Sequence, residues 1–180
     1  MTAYEGGVLG MGTGLLRRLR GVLERDFGEQ AATALQEAGY AAGEDLYGAW
    51  ATWVNKRAGL ADPGQLGAEH LGDLLSEFYA DLGWGHLSVE RMGAALAVDA
   101  QDWAEAEPGA GTAVPSCHVT SGVLAGMLGR LAGEHVAVME IECRSRGDAH
   151  CRFLAGAPET LQAVYDGVNE GRDYRDVLGG

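Results

Sequence analysis

Between Thr13 and Phe27 the apolar residues Leu15, Leu19, Val22 and Leu23 recur at steps of three and four, and Gly28 follows. This spacing predicts a short amphipathic helix with Thr13 as its N-cap. Ala31, Leu35, Ala38, Ala42, Leu46, Ala49 and Trp53 continue the same period in a longer helix, with Tyr40, Tyr47, Trp50 and Val54 on a second face. Asp62-Pro63-Gly64 interrupts the chain, and Leu71, Leu74, Leu75, Phe78 and Leu82 mark a third helix ending near Gly83. The period then changes to two. Leu87 and Val89, followed by Met92, Ala94, Leu96 and Val98, alternate as half-buried strands do, with a turn expected around Glu90-Arg91. Residues 99–114 are acidic and contain Pro108-Gly109-Ala110-Gly111, the composition of an exposed loop whose acids face solvent. Ser116 is placed to cap a fourth helix carrying Val123, Leu124, Met127, Leu128 and Leu131, with Gly133 past its end. Strands from Glu134 to Cys143 and from Ala149 to Leu154 follow, joined through Arg146-Gly147-Asp148. Pro158 suits the first turn of a last helix bearing Leu161, Val164, Tyr165 and Val168.

Hairpins rather than crossovers link the strands, so the order predicts an α+β fold: an antiparallel four-stranded sheet with helices packed on one face. Residues 1–12 are read as a glycine-rich, flexible lead-in, and residues 13–180 as a single domain.

Charge narrows the function classes. Thirteen Lys and Arg against 26 Asp and Glu leave a net charge of −13 over 180 residues. That sign repels phosphates, so neither nucleic acid nor an anionic membrane surface is an expected partner. No apolar run approaches the ~18 residues a spanning helix requires, and the first residues lack a basic leader pattern, which points to a cytoplasmic protein. The 29 glycines show no repeat and read as compositional bias.

The three cysteines cannot all pair within one chain. Cys143 and Cys151 lie symmetrically about Gly147 and would face each other across a regular hairpin, with Cβ atoms about 4.5–5.5 Å apart. That is wide for a disulfide but suits two thiolates on one ion, since sulfurs on a tetrahedral zinc are roughly 3.8 Å apart. Cys117, at the start of the fourth helix, can supply a third thiolate. Glu140, Glu142, His118, His135 and His150 are all candidates for a fourth ligand. Strand alternation puts Glu140 and Glu142 on the face opposite Cys143, so spacing does not choose between them. Inert buried thiols and a redox dithiol are the competing readings. Gly10-Met11-Gly12-Thr13-Gly14 lacks the preceding strand of a nucleotide loop, and Ser116, Cys117 and His118 diverge too far on a helix to form a catalytic dyad. Tyr47, Trp50, Trp53, His70, Phe78 and Trp84 are candidate walls of an apolar small-molecule pocket, with core packing as the alternative for each.

Three stretches, Gly83-Trp84-Gly85, the run from Cys117 to Gly126, and Glu140-Ile141-Glu142-Cys143-Arg144-Ser145-Arg146-Gly147-Asp148-Ala149-His150-Cys151-Arg152-Phe153, together resemble the 4-vinyl reductase domain over residues 30–155. The family includes sensor domains of phenol- and toluene-responsive activators and shares a fold with transport-particle (TRAPP) subunits. The resemblance implies a structural zinc held by Cys117, Glu140, Cys143 and Cys151, and a bend or bulge that brings Glu140 and Cys143 to one ion. It also implies a pocket for a small hydrophobic, aromatic or tetrapyrrole-like molecule, and a homodimer. Nothing in the chain resembles the ATPase or DNA-binding regions of the activators, so output through a separate partner protein is expected. The expected function is a zinc-stabilised ligand sensor or carrier. The alternative is a reductase or accessory factor acting on a vinyl group of a chlorophyll precursor, although no nicotinamide, flavin or iron–sulfur fingerprint is present. A packed dimerisation scaffold is a third reading.

Overall fold

The computed structural model describes residues 8, 10–66 and 68–179. Most of the expected lead-in therefore lies outside the described residues. Six α-helices, one 3-10 turn and four strands follow in the order α1 (Thr13–Phe27), α2 (Gln30–Ala58), the 3-10 turn (Pro63–Gln65), α3 (Ala68–Asp81), β1 (Leu87–Met92), β2 (Ala95–Ala100), α4 (His118–Ala132), β3 (Ala137–Glu142), β4 (Cys151–Gly156), α5 (Pro158–Asn169) and α6 (Tyr174–Leu178). The strands form one antiparallel sheet in the order β1-β2-β4-β3. The α+β class and the hairpin connections are those expected from the sequence. The N-cap of α1 is Gly12, and Thr13 is already helical. The first hairpin turns at Gly93-Ala94 rather than at Glu90-Arg91, because Leu87 pairs with Ala100 and the ladder runs to Met92 and Ala95. Gly93 alone supplies the positive φ, +56°, that the first central residue of a type II′ turn needs.

Alternation divides the sheet's two faces. Val98, Ala100, Cys151, Phe153 and Ala155 join the main core with Trp50 and Val54 of α2, Leu75, Phe78 and Tyr79 of α3, and Val123, Leu124 and Met127 of α4. Ala95, Ala97 and Leu154 face the other way, against Leu161 and Val164 of α5 and Tyr174 and Leu178 of α6. The C-terminal helices thus add a thinner layer on the face opposite α2–α4. The five residues from Cys151 to Ala155 of β4 are all buried. Tyr165 and Val168 of α5 are 55% and 36% exposed, leaving Leu161 and Val164 to anchor that helix.

Some of the glycines have a specific role. α2 and α4 run side by side in the same direction, Gly39 and Gly43 meeting Val119 and Val123, and Gly122 and Gly126 meeting Gln36 and Tyr40. A Cβ on Gly122 would stand 2.7 Å from the backbone nitrogen of Tyr40, and one on Gly43 would stand 3.0 Å from that of Met127. Two Gly-x-x-x-Gly pairs therefore let one helix backbone lie directly on the other. At this crossing, the reading of the glycines as compositional bias is overturned.

Candidate metal centre

The loop before α4, the end of β3 and the start of β4 converge at one end of the sheet. Cys117 is the N-cap residue of α4, Cys151 opens β4, and Cys143 follows the last residue of β3; all three are fully buried. In the β3–β4 ladder Glu140 pairs with Phe153 but Glu142 pairs with Arg152, so Ile141 is an extra, bulged residue. The bulge resets the alternation. Glu140 and Cys143, three apart in sequence, both face the main core, while Glu142 turns to the opposite face, where it accepts from the Tyr174 hydroxyl at 2.6 Å.

One ligand-type atom from each of Cys117, Glu140, Cys143 and Cys151 lies within 4.8 Å of the others. The sulfur of Cys117 is 3.9 Å from that of Cys143 and 4.0 Å from that of Cys151, close to the ~3.8 Å edge of a zinc–thiolate tetrahedron. The backbone N–H of Cys117 donates to Glu140 Oε2 at 2.8 Å. Glu140 Oε1 is buried with no hydrogen-bond partner. A buried, orphaned carboxylate oxygen beside three soft sulfur donors is the donor set that a closed, four-coordinate zinc satisfies.

Without a cation the four acids compete. Hydrogen bonds from the Cys117 and Cys151 thiols hold Cys143 far below the ordinary thiol range. The Cys117 thiol is pushed up by its bonds to Cys143 and Cys151 and by burial. Cys151 is lowered by its bond to Cys117, but the bond to Cys143 and burial prevail and raise it. Burial first, and the Cys143 charge next, push the Glu140 carboxyl up to about 8. A dication would reverse this pattern by replacing the shared protons.

The surrounding loops are fixed by polar contacts. The Cys143 carbonyl accepts from the N–H groups of Arg146 at 2.9 Å and of Gly147 and Asp148 at 3.2 Å, and Asp148 Oδ2 accepts from Cys143 N–H at 2.7 Å. Residues 99–114 are not simply an exposed acidic loop. Trp103 and Glu105 are 3% and 2% exposed. Trp103 Nε1 donates to Thr120 Oγ1 at 2.7 Å, and the Glu105 carboxylate accepts from the N–H groups of Val119 and Thr120 at 3.0 and 2.8 Å. Glu105 thus does from a distance what Ser116 was expected to do as a cap. Burial raises the Glu105 carboxyl against the hydrogen bonds from Thr120 and Val119. The tryptophan within the acidic run was the one sequence signal for this. From α1, the buried Arg20 guanidinium donates to the Ser116 carbonyl at 3.2 Å and its Oγ at 3.1 Å, and reaches Glu107 at 3.3 Å.

The six candidate pocket residues are distributed differently. Trp50 and Phe78 are fully buried in the core, Tyr47, Trp53 and Trp84 are half-buried, and His70 is exposed. The rings of Tyr47, Trp50, Trp53, Phe78 and Trp84 pack on one another or on Tyr79 and Trp103, in a set of contacts with centroid separations of 5.4–6.4 Å. A hollow of about 780 Å³ is walled by Leu71, Val89, Leu96, Leu128, Leu131 and Val136, and none of the six lines it. His70 borders a separate hollow of about 410 Å³ with Leu60, Leu66 and Leu74. The large groove lies on the same face of the sheet as the cysteine cluster but at its other end. Leu96 pairs with Ala155, four residues from the pair Ala100–Cys151, a separation of roughly 13 Å along the strands.

No curated protein matches the chain. Among solved structures, the phenol-responsive sensory domain of the transcription activator PoxR, crystallised with phenol, superposes with a TM-score of 0.59 at 21% identity, covering 82% of this chain and 75% of that one. A trafficking protein particle complex subunit 3 from Naegleria fowleri, covalently bound to palmitic acid, superposes with a TM-score of 0.60 at 14% identity over 80% and 91% of the two chains. A vinyl-4-reductase family protein from Methanocaldococcus jannaschii gives 0.47 at 17% identity over 83% and 98%. No described helix is long and apolar enough to cross a membrane. Residues 102–157, which contain all four clustered side chains and the Glu105 cap, match the 4-vinyl reductase domain family, within a chain that has the fold of the PoxR sensory domain and the trafficking subunit.

Proposed function

We propose that this chain is a zinc-stabilised domain that binds a small hydrophobic, aromatic or tetrapyrrole-like molecule and acts as a sensor or carrier. The observation that carries the ligand reading is the apolar groove of about 780 Å³, in a fold whose PoxR relative was crystallised with phenol. Its size falls in the range of small-molecule sites. Cys117, Glu140, Cys143 and Cys151 would hold the zinc. With four protein ligands the site is closed, so the metal's contribution is structural: it pins α4 to the β3–β4 hairpin. The chain's own residues do the rest. Asp148 and Arg146 hold the Cys143 loop, Glu105 fixes the first turn of α4, and the groove's aliphatic walls exclude water from a bound ligand. Met11, Leu15, Leu19 and Phe27 are 43–59% exposed on and beside α1, an apolar stripe that a second copy of the chain would cover in a homodimer. Output would pass to a separate protein.

The test combines three measurements on the purified chain. Elemental analysis is expected to give about one zinc per chain, light scattering a dimer, and calorimetric titration saturable binding of phenol or a larger apolar ligand. A metal-free chain with three freely reactive thiols would remove the zinc reading, and failure of every apolar ligand to bind would remove the sensor reading.

A further inference from the structure

We propose that the groove between α3, the last turn of α4 and the sheet takes an amphiphile whose apolar body is bulkier than a single ring and whose head is uncharged or cationic. The inference rests on the ligand-binding reading above and narrows the ligand class. Two properties of the walls set the body. The six main wall residues are all aliphatic and come from α3, α4 and strands or loops of the sheet, while the aromatic rings of Trp53, Phe78, Tyr79, Trp84 and Trp103 are engaged with one another. The groove's apolar walls therefore offer no aromatic ring to select a flat ligand, the planar groups Arg91 and His135 lying at the rim. Its volume, about 780 Å³, is also that of a site enclosing a whole drug-sized ligand, so a phenol would leave most of it wet.

The rim sets the head. Among the described residues, Glu134 and Glu159 border the groove against one guanidinium, Arg91, and the imidazole of His135, while the Glu90 carboxylate is turned to the other face, 3.4 Å from Arg152. The carbonyl end of α4 opens on the same side, and its partial charge is also negative. The helix N-terminus at the rim, that of α5, begins with Pro158, which has no N–H, and its first turn carries the Glu159 carboxylate, which disfavours an anion there. On a chain of net charge −13 this rim repels a carboxylate or phosphate head and attracts an ammonium.

The experiment titrates the full chain calorimetrically with decyltrimethylammonium, 1-decanol, decanoate and phenol, each below its aggregation concentration. The ammonium and the alcohol are expected to bind, the ammonium at least about tenfold more tightly than decanoate at low salt. Reversing two exposed rim charges, Glu134→Lys with Glu159→Lys, is expected to cancel or invert that preference, and Leu131→Trp to abolish binding by filling the groove. The charge-reversed chain keeps the test decisive should Leu131→Trp fold poorly, because both of its changes are at exposed positions. Decanoate binding as tightly as the ammonium, or a preference unmoved by charge reversal, overturns the proposal. Binding of phenol alone overturns it while leaving the sensor reading intact; binding of none of the four removes both.

Discussion

Replacing Gly122 by alanine sets two effects of opposite sign against each other. In the interior of a helix, alanine is favoured over glycine by about 1 kcal/mol, so propensity alone makes Gly122→Ala stabilising. At the α2–α4 crossing the added methyl would stand 2.7 Å from Tyr40 N and 2.9 Å from the carbonyl carbon of Gln36, and closer still to the Gln36 oxygen. These are backbone atoms that cannot rotate away. Ordinary contact begins near 3.4 Å, so the helices would have to separate by at least about 0.7 Å along a shared interface. Overpacking of this kind costs about 1–3 kcal/mol, occasionally more, and forfeits dispersion contacts along both helices. The net expectation is a loss of up to about 2 kcal/mol, or a Tm lower by up to about 8 °C for a chain of this length. Gly48→Ala is the control: it lies in the interior of α2, the helix that Gly122 of α4 packs against, and its added Cβ meets nothing within 4 Å. It should gain up to about 1 kcal/mol. Urea unfolding followed by circular dichroism measures both. A Gly122→Ala chain as stable as Gly48→Ala would refute the backbone-contact account of the crossing.

Cys151→Ser should lose the metal and lower stability by several kcal/mol relative to the loaded parent, with chelation of the parent producing a similar drop; an unchanged melting curve after chelation would remove the structural role of the ion. Arg20→Met should cost about 2–3 kcal/mol, since the buried guanidinium serves both the Ser116 carbonyl and hydroxyl, and hydrogen exchange should quicken in α1 and in residues 105–116 before the rest of the core. The His86 side chain and backbone N–H both bond to Asp102, at 2.9 and 2.7 Å, and hold its carboxyl below its ordinary 3.8. A depressed carboxylate stabilises the fold above 3.8 and loses that contribution as pH falls through its folded value. Carboxyl-carbon NMR should therefore find Asp102 titrating below 3.8, and His86→Ala should bring it back up. A titration at 3.8 or above in the parent would contradict the contact.

The elements were legible because their signals are local. The steps of three and four through α1–α4, Gly28 and Gly133 after helices, and Pro158 at the start of α5 all act within one or two turns of the chain. The three cysteines stood out by residue type, and the hairpin symmetry of Cys143 and Cys151 matches a ladder in which Glu142 pairs with Arg152. What escaped depends on tertiary contacts. Glu140 separates from Glu142 only through a bulge, which alternation in a single strand cannot show and which the family resemblance alone implied. Glu105 looked like any other acid in a solvated run because its partners, the N–H groups of Val119 and Thr120, are supplied by a helix more than ten residues away. Gly122 and Gly126 matter only against Gln36 and Tyr40, a contact that the composition of neither helix discloses. The groove walls come from separated segments, each reading as ordinary core.

The bulge at Ile141 makes the geometry of the four donors a matter of counting. Pairing of Glu140 with Phe153 and of Glu142 with Arg152 holds one residue in excess on β3, and that excess lets Glu140 and Cys143 face the same interior. Deleting Ile141 would restore a regular ladder and leave Glu140 and Cys143 two positions apart, still on one face, whereas inserting one residue without a second bulge would send them to opposite faces and divide the donor set. Exchanging Ile141 for valine alters one half-buried side chain and leaves the frame intact. A one-residue insertion between Glu140 and Cys143 should therefore be far more damaging than a substitution there or than removal of the bulged residue.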